Sequence, residues 1–128
     1  GNMAEDNKVR YSDEELEEFR QLIQSKIDKA ENDLSVLREQ FANDQDNGTN
    51  DTSPIFKSFE EGSETMSKEA NAQLAARQEK FLRDLRGALI RIENQTYGIC
   101  RVTGKLISKE RLRLVPHATL SIEAKMKQ

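Results

Sequence analysis

The chain has 128 residues, of which 35% are hydrophobic, 34% charged and 5% aromatic, with a formal net charge of −3. That length holds one ordinary domain or a small domain with an extension, and the low apolar share argues against a large compact core. A single cysteine and a single histidine exclude a disulfide scaffold and an all-protein Cys/His zinc cage. No apolar run approaches the roughly 20 residues of a membrane helix, and no secretory apolar segment is visible. A cytoplasmic location is the default expectation. The charge is unevenly spread: residues 1–64 carry 7 Lys/Arg against 17 Asp/Glu, and residues 65–128 carry 13 against 6. Such a split predicts either a basic partner-binding half or two halves lying against each other.

Gly1 and Asn2 precede Met3 and read as a remnant ahead of the natural start. Residues 1–11 as a whole read as a disordered N-terminus. Ser12 followed three residues later by Glu15 is a capping box, and Asp13 and Glu14 also suit a helix start. Leu16, Phe19, Ile23, Ile27, Ala30, Leu34, Leu37 and Phe41 then recur at spacings of three or four. This is one apolar stripe of a long helix that ends near Ala42. Residues 43–63 change texture. Asp44, Asp46, Asn47, Gly48, Asn50, Asp51, Ser53 and Pro54 are turn formers, which predicts a tip loop over 43–63.

A second long helix is predicted over 63–94, with Met66, Ala70, Leu74, Phe81, Leu85, Ala88 and Ile92 on its stripe. Two helices of matching length with narrow seams pair most simply as an antiparallel hairpin spanning 12–95. An acidic first helix facing a basic second one would account for much of the charge split. Beyond it, Tyr97 to Ile107 alternates in residue type and places Gly98 and Gly104 six apart, which reads as two short strands around a Thr103-Gly104 turn. A helical turn is predicted over 108–113, and a short C-terminal helix after Pro116, over 117–127.

The string Tyr97-Gly98-x-Cys100-x-x-Thr103-Gly104-x-x-Ile107-x-x-x-Arg111-Leu112-x-x-x-Pro116-x-Ala118-x-Leu120 resembles the C-terminal domain of the DksA/TraR family. About ten positions match in order, behind a helical hairpin of suitable length. The resemblance implies a mainly α fold: a long antiparallel two-helix coiled-coil hairpin, then a small zinc-knuckle-like domain over 96–128 with a short β-hairpin and a C-terminal helix. The family's four zinc ligands fall on Cys100, Thr103, Ser121 and Ala124. Only the first is a cysteine here, hydroxyls are not ordinary structural zinc ligands, and alanine has no donor atom. No bound zinc and no other cofactor is therefore expected, and the knuckle must be held by packing.

The resemblance further implies a bacterial transcription regulator that binds RNA polymerase, its hairpin tip entering the secondary channel, in some members together with the alarmone guanosine tetraphosphate (ppGpp). Direct sequence-specific nucleic-acid binding and membrane binding are not implied. The family's Asp-x-x-Asp-x-Ala tip pattern is missing; the tip acids here are Glu60 and Glu61, with Asp51 a further candidate. A carboxylate brought near a catalytic magnesium ion alters its hydration, because magnesium is a hard oxygen-seeking centre. Lys105, Lys109, Arg111 and Arg113 are the candidates for polymerase or alarmone contact. No catalytic residues are assigned and an enzyme is not expected. Cys100 beside Arg101 reads as a packed remnant, His117 has no visible nucleophile to serve, and Glu60-Glu61 has no second acid-base group to support it. The alternative reading is a non-enzymatic coiled-coil interaction protein that retains the fold without polymerase regulation.

Overall fold

The computed structural model describes residues 9–46 and 54–128, with the side chains of residue 41 and of residues 43–66 outside the description. Four helices follow in order: α1 (Asp13–Asp46), α2 (Pro54–Glu93), α3 (Lys109–Leu114) and α4 (Ile122–Met126). α1 and α2 form the antiparallel helical hairpin, and the short helices belong to the C-terminal domain. The capping box closes as read: the Ser12 amide donates to Glu15 Oε1 at 3.0 Å and the Glu15 amide to Ser12 Oγ at 3.2 Å. Three acids in the first turn of α1 complement its dipole.

Both long helices reach further toward the connection than the turn formers predict. α1 runs to Asp46 and α2 begins at Pro54. A proline opens a helix at little cost, because the amide it lacks has no intrahelical partner in the first turn. Asp51 lies outside the described residues, as do the side chains of Glu60 and Glu61.

The chain divides into two compact units. One joins the residues up to Ile27 with Arg83–Gln128. Its core collects Leu16, Phe19, Ile23 and Ile27 of α1, Leu85, Ala88 and Ile92 of α2, and Tyr97, Cys100, Ile107, Leu112, Ala118, Leu120 and Ala124. Aromatic rings set its centre. Phe19 meets Tyr11 edge-on at 5.8 Å and Tyr97 at 5.3 Å. The other unit, Asp28–Leu82, is thinner. It buries Ala30, Leu34 and Leu82 and leaves Val36 and Leu74 close to half exposed. There Arg38 pairs with Glu79 at 3.2 Å and Asn71 donates to Gln40 at 3.4 Å, the running order of antiparallel helices.

Two residues past the end of α2, Gln95 takes a left-handed φ of 63°. The amides of Thr96 and Tyr97 fold back to the Arg91 carbonyl at 2.9 and 3.2 Å, so that carbonyl is met without water. The following segment is not a β-hairpin. The predicted strands reduce to one antiparallel bridge between Ile99 and Leu106, with no strand among the described residues. Gly98 and Gly104 adopt φ of 77° and 71°, and left-handed residues on each side of Cys100 interrupt an extended run. α4 is also shorter than expected, since the chain from Pro116 to Leu120 turns before Ser121 caps it.

Tyr11 closes the stretch read from the sequence as a disordered N-terminus, of which residues 1–8 lie outside the described residues. Its ring is buried, and its hydroxyl donates to the Ile107 carbonyl in a short bond. Tyr97, by contrast, is fully buried with a hydroxyl that meets no partner among the described residues. The two tyrosines should therefore answer differently to loss of oxygen. Tyr11→Phe leaves a buried carbonyl unpaired and should cost about 1–2 kcal/mol in denaturant unfolding, whereas Tyr97→Phe should leave the midpoint unchanged or raise it.

Candidate functional site

The C-terminal domain is built around one sulfur. Cys100 is buried, and its own backbone is pinned in a tight knuckle: its amide donates to the Lys105 carbonyl at 2.8 Å, and its carbonyl accepts from Gly104 at 2.8 Å. Gly104 supplies the left-handed corner and stands in open space. A second loop is fastened across it by the Arg101 amide, which donates to the Thr119 carbonyl at 2.9 Å. That bond brings Ser121 to the sulfur.

Thr103 and Ser121 both act on Cys100. The Thr103 amide donates to Sγ at 3.5 Å. The Thr103 hydroxyl accepts from the Lys105 amide at 3.2 Å, and the Ser121 hydroxyl accepts from the Ala124 amide at 3.1 Å as the cap of α4. Burial pushes the Cys100 thiol up, but hydrogen bonds from the Ser121 backbone, the Thr103 hydroxyl and backbone, and the Ser121 hydroxyl outweigh it and bring the thiol to about 6. Ala124, the fourth position of the frame, is buried one helical turn beyond Ser121.

Zinc does not fit this donor set. A structural zinc site takes four Cys or His ligands in a tetrahedron, and the frame here offers one thiolate, two hydroxyls already engaged with backbone amides, and a methyl group. Among the described residues no cluster of three or more His, Cys, Asp or Glu is placed to hold an ion.

The four cations read from the sequence do not form one patch. Lys109 and Arg113 stand four residues apart on α3 and share a face. Lys109 closes on Glu15 of α1 in an ion pair, and hydrogen bonding to that carboxylate raises the lysine's pKa. Arg111 lies on the other face, where its Nε donates to the Leu120 carbonyl at 2.9 Å. Arg111 and Lys105 line a cleft of about 330 Å3 together with Thr103, Ser108, Ser121 and Glu123. The i, i+4 spacing of Lys109 and Arg113 carried this separation, but Glu15 as partner was hidden behind its role in the capping box. His117 contributes through its backbone, its carbonyl accepting from the half-buried Arg91 at 3.3 Å. No helix among the described residues is long and apolar enough to cross a membrane.

Comparison with known proteins places this geometry. Residues 95–128 match the family model of the prokaryotic dksA/traR C4-type zinc finger. An uncharacterized protein of Bacillus subtilis, YteA, is 41% identical over 64 residues, covering 50% of this chain and 27% of its own length. General stress protein 16O of the same organism is 40% identical over 45 residues, covering 35% of this chain and 28% of that one. The matched parts thus span little more than a quarter of either relative. Among solved structures, transcription factor DksA2 from Pseudomonas aeruginosa superposes with a TM-score of 0.70 at 26% identity, covering 100% of this chain and 89% of that one. The C-terminal frame thus matches the DksA/TraR family model over residues 95–128, and the whole chain is similar in fold to a DksA protein.

Proposed function

We propose that this protein is a cytoplasmic bacterial transcription regulator that binds RNA polymerase, inserts the tip of its helical hairpin into the secondary channel and docks through its C-terminal domain, with no zinc and no catalysis of its own. One observation supports this most: the whole chain shares the fold of a transcription factor, with the C-terminal frame retained at 95–128. Glu60 and Glu61 are the acids assigned to the tip. The cleft holding Lys105 and Arg111 is the candidate contact for ppGpp, because two cations beside hydroxyl donors suit phosphate.

The test is binding to the cognate polymerase followed by in vitro transcription from a ribosomal promoter. The wild type should bind and change output. Glu60→Gln combined with Glu61→Gln should retain binding and lose most of the effect, and Lys105→Ala should remove any enhancement by ppGpp. Failure to bind polymerase overturns the reading. Retained binding with output unchanged in both wild type and tip variant leaves the interaction-protein alternative.

A further inference from the structure

We propose that the cleft between α1 and α2 at Asp33 and Gln78 receives an arginine side chain of the polymerase, so that the shaft of the hairpin carries part of the partner specificity. The proposal rests on the polymerase reading above and deepens it by naming the chemistry of one contact. Two helix faces make the cleft. Asp33, Val36, Leu37 and Gln40 stand at i, i+3, i+4 and i+7 on α1, and Leu74 and Gln78 at i and i+4 on α2. Together they line an open volume of about 300 Å3. Ala30 and Leu34 are buried just before it, whereas within it Val36 and Leu74 are 45% and 44% exposed.

Charge and hydrogen bonding select the occupant. None of the six lining residues is a cation, and one is a carboxylate. Gln78 Oε1 is buried and meets no donor among the described residues. An acceptor held that way costs the desolvation of its oxygen, which an incoming N–H recovers. The last torsion of a glutamine is broad, so a turn of the amide offers that oxygen to the cleft. Asp33 has a partner, Lys29 at 3.5 Å, but the lysine side chain is 79% exposed, and a pair of that kind is weak and readily exchanged. An arginine meets all of these features at once. Its methylene stem lies on Val36, Leu37 and Leu74, and its planar guanidinium has donors to divide between Gln78 on one helix and Asp33 on the other. A lysine brings one compact, strongly hydrated ammonium, a poorer match to two separated acceptors. A second copy of this chain presenting the same face would set acceptors against acceptors, which opposes self-pairing here.

The experiment measures affinity for the cognate polymerase and melting temperature side by side. Gln78→Leu should weaken binding about tenfold while its melting temperature holds or rises, because the orphaned acceptor leaves with the side chain. Asp33→Asn should weaken binding about threefold at low salt, and the loss should fade as salt is raised. A benzophenone side chain introduced at position 74 should crosslink to a polymerase peptide that contains an arginine. Changing that arginine to alanine should abolish the loss caused by Gln78→Leu, as a double-mutant cycle requires of a direct contact. If the wild type binds and both variants bind as tightly, the cleft's role is overturned and the polymerase reading stands. If the wild type does not bind, the polymerase reading itself falls, and the arginine contact with it. A crosslink to a second copy of the chain, or to a peptide without arginine, overturns the occupant. A Gln78→Leu variant that melts lower marks Gln78 as part of the hairpin's own packing and overturns its role as acceptor, and unchanged binding by Asp33→Asn at low salt overturns the electrostatic half.

Discussion

Gly98→Ala should destabilise the protein by about 3 kcal/mol, among the largest effects of any single methyl group added to this chain. Two costs add. Gly98 sits at φ 77°, where a side chain is strained. A Cβ there would also lie 2.6 and 2.7 Å from carbons of the Tyr11 ring and 3.1 Å from Leu112. The tyrosine cannot rotate away cheaply, because its hydroxyl is fastened to the Ile107 carbonyl and its ring packs on Phe19. Expelling it breaks the attachment of the N-terminal segment to the C-terminal domain. The check is a double-mutant cycle in chemical denaturation. If the Tyr11 ring is what the new methyl strikes, Gly98→Ala and Tyr11→Ala must be strongly non-additive. An additive cycle, or a loss below about 1 kcal/mol, would place the cost of Gly98 in its backbone alone.

That tyrosine marks where the sequence stops being legible. The capping box, the two apolar stripes and the family frame each rest on residues a few positions apart, and local spacing displays them. Leu16, Phe19, Ile23, Ile27, Ala30 and Leu34 are all buried as the stripe requires. Tyr11 stands outside any periodic run, and its partner is 96 residues away, so nothing local distinguishes it from a disordered leader. Glu15 misled differently: one residue caps α1 and also pairs with Lys109, and the nearer role concealed the farther one. The alternation across Tyr97 to Ile107 was true as a pattern, yet two left-handed glycines turned it into a knuckle with one bridge. Period-2 spacing cannot register φ.

The candidate site divides the same way. Cys100, Thr103, Ser121 and Ala124 were locatable from the frame, and their mismatch with a four-ligand zinc site is a matter of their chemistry. That the Thr103 amide serves the sulfur could be known only from its position. The charge split is likewise only partly explained by facing helices. The pair joining them in the thinner unit, Arg38 with Glu79, runs base to acid in the reverse sense from the overall imbalance. On α1 itself, Glu17 bonds Arg20, which holds its carboxyl down at about 2. Part of the acidity of the first helix is thus met along its own surface, as also where Lys29 pairs with Asp33.

Leu85→Ala should cost about 3 kcal/mol, and Leu74→Ala on the same helix about 1 kcal/mol or less. Leu85 is fully buried in the unit that holds the aromatic cluster, so truncation opens a cavity among rigid neighbours. Leu74 is 44% exposed and lines an open cleft of about 300 Å3 with Val36 and Leu37, where the side chains around it can close in. With native domains stable by only some 5–15 kcal/mol, the first substitution removes a large fraction of the total and the second little. Thermal and urea unfolding measure the difference directly. Amide exchange should show the same gradient, with protection highest around Ile23, Leu85 and Leu112 and falling through Asp28–Leu82. Equal losses at Leu85 and Leu74, or uniform protection along α2, would contradict a core concentrated at the end of the helices that carries the C-terminal domain.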